Sequence, residues 1–383
     1  MNESARSLKN SLVSLYRAAL EGVDPRRAVE RSLSDPAIRR ALAQARGIGL
    51  FAAGKAARAM MEGARSIAWR QGLAVLPRGY ARPRLRRTRV LIASHPLPDR
   101  SSVQAADAAL AFFGGFGPEE LILCLISGGT SSLLAKPRPG LRLAAKRAAI
   151  RRLASSGASI VELNRLRSRL SAVKAGKLGR STSARIVSLV LSDVPGGDAA
   201  LVGSGPTVRG RRGDRTLVVA SNRSGLLASA AEASRRGLAP RVFRRGLAGE
   251  AFEEGRRFAR AAARLAPGDV LIAGGETTVT LSDRPGTGGR NLEFALGAAG
   301  ELRGTRNIAV LAAGSDGVDG NSRAAGAFAS GATMHRARTL GMDPGRSLAL
   351  HDTEPLFRRL KDLLITGPTG TNVGDWAWAM RSD

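Results

Sequence analysis

Apolar residues recur with a helical period over residues 7–34, where Leu8, Leu12, Leu15, Ala19 and Leu20 share one side. Asp24-Pro25 breaks and restarts that run, Asp as an N-cap and Pro as a first-turn residue. Further on, short continuous apolar runs alternate with helical stretches. Residues 47–64 read as a buried strand, a glycine turn and a helix. Residues 89–99 read as a strand breaking into a proline-rich loop, 101–113 as a helix and 120–126 as a strand. Strands also end at the acidic glycine loop of 184–198 and at 215–222. The pattern restarts after about residue 240, with strands in 268–281 (a strand, a turn and a paired second strand), in 306–320, and a closing segment over 362–380. Continuous runs between helices predict parallel sheets covered on both faces, hence an α/β fold. At 383 residues, two domains are expected.

In such sheets ligands bind beyond the carboxyl ends of the strands. Those ends carry Gly54-Lys55, HPLPD (95–99), SGGTSS (127–132), SDVPGGD (192–198), GGE (274–276), GSDGVDG (314–320) and TGPTGTN (366–372). Glycine lets backbone N–H groups approach an anion, and a following helix adds partial positive charge. Several such loops on successive strand ends point to a nucleotide or phosphate site. The SGGTSS loop has no lysine where a P-loop has one, so its positive charge must come from elsewhere.

Composition narrows the field. The formal charge is +29, but the basic residues are nearly all arginine, spread along the chain and not interleaved with aromatics. That pattern favours solvated faces and attraction of small anions over specific nucleic-acid binding. One cysteine, Cys124, excludes an intrachain disulfide framework. No run approaches the length of a membrane span, and a cytoplasmic location is expected. There is no P-loop, protein-kinase motif set, nucleophile elbow, zinc pattern or dinucleotide fingerprint.

Phosphoryl transfer by positioning and charge neutralisation remains. Lys55, at a strand–helix turn, is a candidate cation, as is Arg290 in GTGGRNLEF (286–294), read as a flexible loop. Asp193 and Asp316 follow strands and are candidate Mg²⁺ ligands. Glu276, next to Gly275, is placed to receive a hydroxyl. Asn222 serves either as a ligand donor or as a helix cap. His95 reads as a loop histidine packed by Pro96 and Pro98.

The stretches GKAARAM (54–60), SHPLPDRSSVQAA (94–106), LISGGTSSLL (125–134), SGASIVELNRLRSRLSAVKAGKL (156–178), LVLSDVPGGDAALVGSGPTV (189–208), GGETTVTL (274–281), GTGGRNLEFAL (286–296), AAGSDGVDGNSRAAGA (312–327) and LLITGPTGTNVGD (363–375) together resemble the glycerate 2-kinase family of the MOFRL type. The resemblance implies a larger N-terminal Rossmann-like domain (1–238), with helices on both faces of a parallel sheet. It also implies a smaller C-terminal MOFRL-type α/β domain (239–383) and an active site in the cleft between them. It implies ATP-dependent phosphorylation of D-glycerate to 2-phosphoglycerate, with ATP and Mg²⁺ as cofactors. The partners would be small molecules, with no specific nucleic acid and no membrane, in a monomer or homodimer. Lys55 and Arg290 match the family's catalytic cations, and Asp193 an active-site acid. Ser127, Gly128, Gly129, Thr130 and Ser131 would cradle an anionic group of glycerate or nucleotide.

The sequence departs from the family pattern at Thr130, Arg169, Ala175, Gly197 and Leu292, which bears on substrate choice. A hydroxypyruvate reductase, a kinase for another small hydroxy acid and a nucleic-acid-binding module are the alternatives.

Overall fold

The computed structural model describes residues 3–156, 160–194, 196–243 and 246–382. Residues 157–159 of the family-like stretch and Pro195 of the acidic loop lie outside the described residues. Contacts divide the chain into residues 24–221 and a second unit of residues up to 23 together with 222–383. The sequence reading placed the division at 238 and kept the N-terminus with the first half.

Helix α1 (Glu3–Gly22) precedes the first unit. That unit begins with α2 (Pro25–Leu33) and α3 (Pro36–Ala43). Asp24 and Asp35 cap these helices, each followed by a proline in the first turn. Then come β1 (Ile48–Ala53), α4 (Ala57–Gly63), β2 (Gln71–Pro77), β3 (Thr88–Ala93), α5 (Arg100–Gly114) and β4 (Leu121–Ile126). Helices α6 (Thr130–Leu133), α7 (Leu143–Ser155) and α8 (Ile160–Arg169) lead to β5 (Arg185–Ser192) and β6 (Arg215–Ser221).

The six strands form one parallel sheet in the order β3-β2-β1-β4-β5-β6. This is the doubly wound Rossmann order, which reverses direction between β1 and β4. β4 is buried along its whole length, and Phe51, Phe112, Phe113 and Phe116 fill one face of the sheet with ring-to-ring contacts.

The second unit continues through α9 (Asn222–Arg235), β7 (Ala239–Val242), α10 (Ala251–Ala262), β8 (Asp269–Gly275), α11 (Arg290–Glu301), β9 (Ile308–Gly314) and β10 (Gly326–Ser330). It ends with α12 (Thr333–Thr339), α13 (Pro344–Ala349), α14 (Thr353–Leu360), β11 (Leu363–Leu364) and β12 (Asp375–Arg381). The strand order is β11-β10-β9-β12-β8-β7. This sheet is mixed, which corrects the expectation of parallel sheets throughout: β12 runs antiparallel between β8 and β9. The second strand expected in 276–281 does not form. Thr278 makes only an isolated bridge to Glu250.

Trp376 and Trp378 of β12 are fully buried, and Tyr16 of α1 meets both edge-on, with centroids 6.5 and 5.9 Å apart. The Trp378 indole N–H donates to Ser229 Oγ of α9 at 2.7 Å, and Gly225 leaves the space that the Trp376 ring occupies. These contacts tie α1 and α9 to the second sheet. Among the described residues no helix is long and apolar enough to cross a membrane.

Candidate active site

In the first unit, β1 and β4 are adjacent and parallel, with Ala53 opposite Ile126. Their carboxyl ends mark the switch point of the sheet, where doubly wound folds bind ligands. Gly54-Lys55 leaves β1 there and Ser127-Gly128-Gly129 leaves β4. The two loops are laced together. Lys55 N donates to Gly128 O at 2.9 Å, Ser127 N to Ala53 O at 3.0 Å, and Ala56 N to Ser127 Oγ at 3.1 Å. The Thr130 hydroxyl lies 2.8 Å from Ala53 O and 2.7 Å from Ser127 O and shares its proton between them.

The cradle therefore differs from the expected one. The hydroxyls of Ser127 and Thr130 are buried and committed to holding the loop. The N–H groups of Gly128 and Gly129 donate to no acceptor among the described residues, and Ser131 is half-exposed. Helix α6 is four residues long, too short to supply the dipole expected of it.

Gly54 is required at its position. It holds φ at +121°, and a Cβ there would lie 2.6 Å from Ser127 O and 2.9 Å from Gly128 O. Gly54→Ala is expected to cost about 2 kcal/mol from backbone strain and overlap. Urea denaturation would show it as a lower midpoint at unchanged slope.

Two titratable side chains stand near Lys55. Burial pushes the Asp193 carboxyl above the usual carboxylate range, and the Lys55 ammonium draws it back. His95 was read as a packing residue. Its imidazole instead lies beside Gly129 and Lys55: a Cβ on Gly129 would be 3.3 Å from His95 Nε2 and 3.4 Å from Lys55 Cγ. Burial, with Lys55 as a second cause, holds the imidazole below its ordinary pKa and so favours the neutral form. The signal for it was available, since HPLPD sits on a strand end like the other loops. Arg169, one of the departures from the family pattern, is exposed.

In the second unit, Asp375 opens β12 and stands in register with Gly275 at the end of β8 and Gly314 at the end of β9. Arg290 is the first residue of α11, not part of a flexible loop. Its Nη2 donates to Asp375 Oδ1 at 3.1 Å and its Nε to Asp375 Oδ2 at 2.5 Å. Its Nη1 lies 3.1 Å from Glu276 Oε1. Burial works against the Arg290 charge, but Asp375 and Glu276 outweigh it and hold the guanidinium above its ordinary pKa. Arg290 is therefore a clamped cation.

Asn291 Nδ2 bridges Asp375 Oδ1 and Asp319 Oδ1, each at 3.1 Å. Asp319 also accepts the N–H groups of Asn291 and Leu292 and so caps α11. Burial pushes the Asp319 carboxyl up to about 7. The sequence reading passed over Asp375 and Asn291.

The remaining candidates are placed as follows. The Asn222 amide donates to Val373 O and Asp375 O, both at 3.0 Å, so it ties α9 to β12. Gly275 allows Leu247 to approach closely, since a Cβ there would meet Leu247 N and O at 2.3 Å. Asp316 Oδ1 accepts the Val318 N–H at 3.2 Å. Among the described residues no three His, Cys, Asp or Glu side chains are grouped to hold a metal by themselves. A nucleotide-borne Mg²⁺ needs only one or two protein carboxylates.

Comparison with known proteins gives two family matches. A domain of unknown function (DUF4147) matches residues 11–238 and the MOFRL family matches residues 269–375. The glycerate 2-kinase of Pyrococcus horikoshii is 31% identical, over 96% of this chain and 96% of its own. A putative hydroxypyruvate reductase of Agrobacterium vitis is 37% identical, over 96% and 93%. The crystal structure of the Thermotoga maritima glycerate kinase superposes with a TM-score of 0.88 at 29% identity, covering 98% of this chain and 100% of that one.

Proposed function

Because the chain belongs to the glycerate 2-kinase family of the MOFRL type, we propose that it transfers the γ-phosphoryl group of ATP to the 2-hydroxyl of D-glycerate, giving 2-phosphoglycerate and ADP. The observation that carries this reading is the loop pair at the β1–β4 switch point. It sets Lys55 beside the available N–H groups of Gly128 and Gly129. Cation and backbone donors together are what a transferring phosphoryl group requires.

In this reading the 2-hydroxyl oxygen attacks the γ-phosphorus, the bond to the ADP oxygen breaks, and the hydroxyl proton passes to a protein acceptor. Lys55 and the two N–H groups neutralise charge on the phosphoryl oxygens. Asp193 orients the hydroxyl, and the neutral His95 imidazole beside Lys55 is a second acceptor for its proton. Arg290, clamped by Asp375 and Glu276, offers its remaining N–H groups to phosphate oxygens. Mg²⁺ would be held through Asp193 or Asp316 and, when bound, would supply Lewis-acid neutralisation of phosphate charge. The single, buried cysteine suits a cytoplasmic enzyme.

The test is ADP release by purified protein with Mg²⁺-ATP and D-glycerate, the product being passed to enolase without a mutase. Enolase turnover is expected. ADP release without it assigns the 3-hydroxyl as acceptor. Nicotinamide oxidation with hydroxypyruvate, without glycerate-dependent ADP, would replace the kinase by the reductase reading.

A further inference from the structure

The SGGTSS loop poses a charge problem. It lacks a lysine of its own, and α6 is too short to act as a dipole. The structure brings a lysine in from 43 residues along the chain: Lys174 Nζ donates to Ser131 Oγ. Lys174 is only 4% exposed, and Ser131 Oγ is also 3.3 Å from Ser204 Oγ.

This placement is built by three segments locked together. Ala175 N donates to Ser204 O at 2.8 Å, and Gly176 N to Gly205 O at 2.7 Å. Gly203, Ser204 and Gly205 all take left-handed conformations, with φ of 58°, 63° and 54°. Gly203 has no Cβ because one there would lie 2.7 Å from Thr130 Cβ. The turn of residues 203–205 thus presses against the loop and fixes Lys174 behind it.

More positive charge stands close by. Lys146 is 2% exposed and donates to Ala135 O at 3.2 Å. Lys177 donates to Ser168 O and Ser171 O at 2.8 and 2.7 Å, and Arg167 to Asn164 Oδ1 at 3.1 Å. None of these four cations pairs with a carboxylate among the described residues. Burial first, then Lys146 and Arg167, pushes the Lys174 ammonium well below the ordinary lysine pKa. Burial and Lys177 bring Lys146 down to about 8. Buried positive charge without a counter-ion is costly, and an arriving anion removes that cost.

We propose that Lys174 and Ser131, backed by Lys146 and Arg167, form the subsite that receives the carboxylate of the hydroxy-acid acceptor. The inference deepens the kinase reading and rests on it for the identity of the acid. The ammonium and the hydroxyl are two adjacent donors, which match the two oxygens of a carboxylate. The phosphates are left to Lys55 and the N–H groups of Gly128 and Gly129. Bound carboxylate raises the Lys174 pKa, so binding takes up protons wherever the free lysine is partly neutral. Affinity for the acid accordingly falls as pH rises, and falls further above about pH 8, where Lys146 loses its proton.

The experiment uses the full chain and Lys174→Met. KM for D-glycerate is expected to rise about 10- to 100-fold, while KM for ATP stays within about twofold. The melting temperature is expected to rise, because an apolar side chain of similar size replaces a buried amine that has no carboxylate counter-ion among the described residues. Calorimetry of D-glycerate binding in two buffers of different ionisation heat should show proton uptake in the wild type and clearly less in the variant, where only Lys146 remains to take up a proton. Ser131→Ala, a smaller change, should raise KM for D-glycerate by about 3- to 10-fold. Glycerol, which lacks the carboxylate, should bind neither protein measurably.

An unchanged KM for glycerate in Lys174→Met overturns the subsite, as does a loss shared equally with ATP. If wild-type protein binds D-glycerate with proton uptake but transfers no phosphoryl group, the kinase reading fails and the subsite stands. If it phosphorylates D-glycerate and Lys174→Met does so with the same KM, the reverse holds. If none of D-glycerate, D-lactate and L-lactate binds, the subsite is refuted.

Discussion

Lys55→Ala is expected to lower kcat about a thousandfold, equivalent to about 4 kcal/mol of lost transition-state stabilisation. Lys55 is half-buried at the β1–β4 switch point, with Asp193 and His95 as its charged and titratable neighbours. A phosphoryl group in transfer carries charge that two backbone N–H groups alone neutralise poorly. Removing the ammonium leaves the site formed but uncharged, so kcat falls far more than stability. Arginine should rescue little, because its planar fork does not reproduce a compact point charge beside Gly129.

The His95 resonance supplies a second readout. Lys55 helps to hold that imidazole below its ordinary pKa, so the pKa should rise in Lys55→Ala. The chain has three histidines, few enough for the resonances to be assigned by single substitutions. Near wild-type turnover would remove Lys55 from the chemistry. Lost turnover with a fixed His95 pKa would mean that the loop had rearranged.

Arg290→Ala should destabilise the second unit by about 3 kcal/mol. Asp375, at the head of β12, is 3% exposed and Arg290 is 33% exposed. Removing one partner leaves a buried carboxylate with, among the described residues, only Asn291 to donate to it, and such losses reach about 3–5 kcal/mol. The partial exposure of Arg290 places the effect at the lower end.

The pH dependence follows from the carboxyl. Burial already raises the Asp375 pKa while Arg290 draws it down, so the variant's Asp375 should titrate higher still. A carboxyl with a folded pKa above its unfolded value binds more protons when folded, so its penalty grows as pH rises through that range. The deficit of Arg290→Ala relative to wild type should therefore be smaller at pH 5 than at pH 8. Arg290→Ala combined with Asp375→Ala should recover part of the loss, since no buried charge remains to be paired. Urea titrations of the wild type and both variants at both pH values test this, and an equal deficit of Arg290→Ala at both would refute the ion-pair account.

Some of this was legible in the sequence. The apolar runs of β1, β4, β5, β8 and β9 announced buried strands, and the strand-end rule located Lys55 and SGGTSS without coordinates. Strand direction was not legible. A fully buried strand is apolar whichever way it runs, so β12, with DWAWAM, gave no sign that it lies antiparallel between β8 and β9. The short β10 was likewise missed. Arg290 was found, but its partner lies 85 residues away, and sequence spacing alone could not show that its charge is clamped. Lys174 was hidden because its partner Ser131 lies 43 residues away, and sequence spacing alone could not show that it is buried. Ser127 and Thr130 were expected to face a ligand, because hydroxyls after a strand suit both anion binding and loop closure.

The assignment of α1 to the second unit also sets an order of events during synthesis. Lys9 pairs with Asp362, Tyr16 donates to Gly314 O at 3.1 Å, and the Thr371 hydroxyl donates to Val23 O at 3.3 Å. Helix α1 thus docks on segments that are synthesised well after it. At translation rates of about 5–20 residues per second, that interval is on the order of tens of seconds. Residues 24–221 have all their own strands and can fold during it, whereas α1 keeps its apolar face uncovered until β12 emerges. Removing α1 would therefore damage the second unit, and a nascent chain stalled before residue 375 would expose the surface that Leu12, Leu15 and Tyr16 bury in the folded protein.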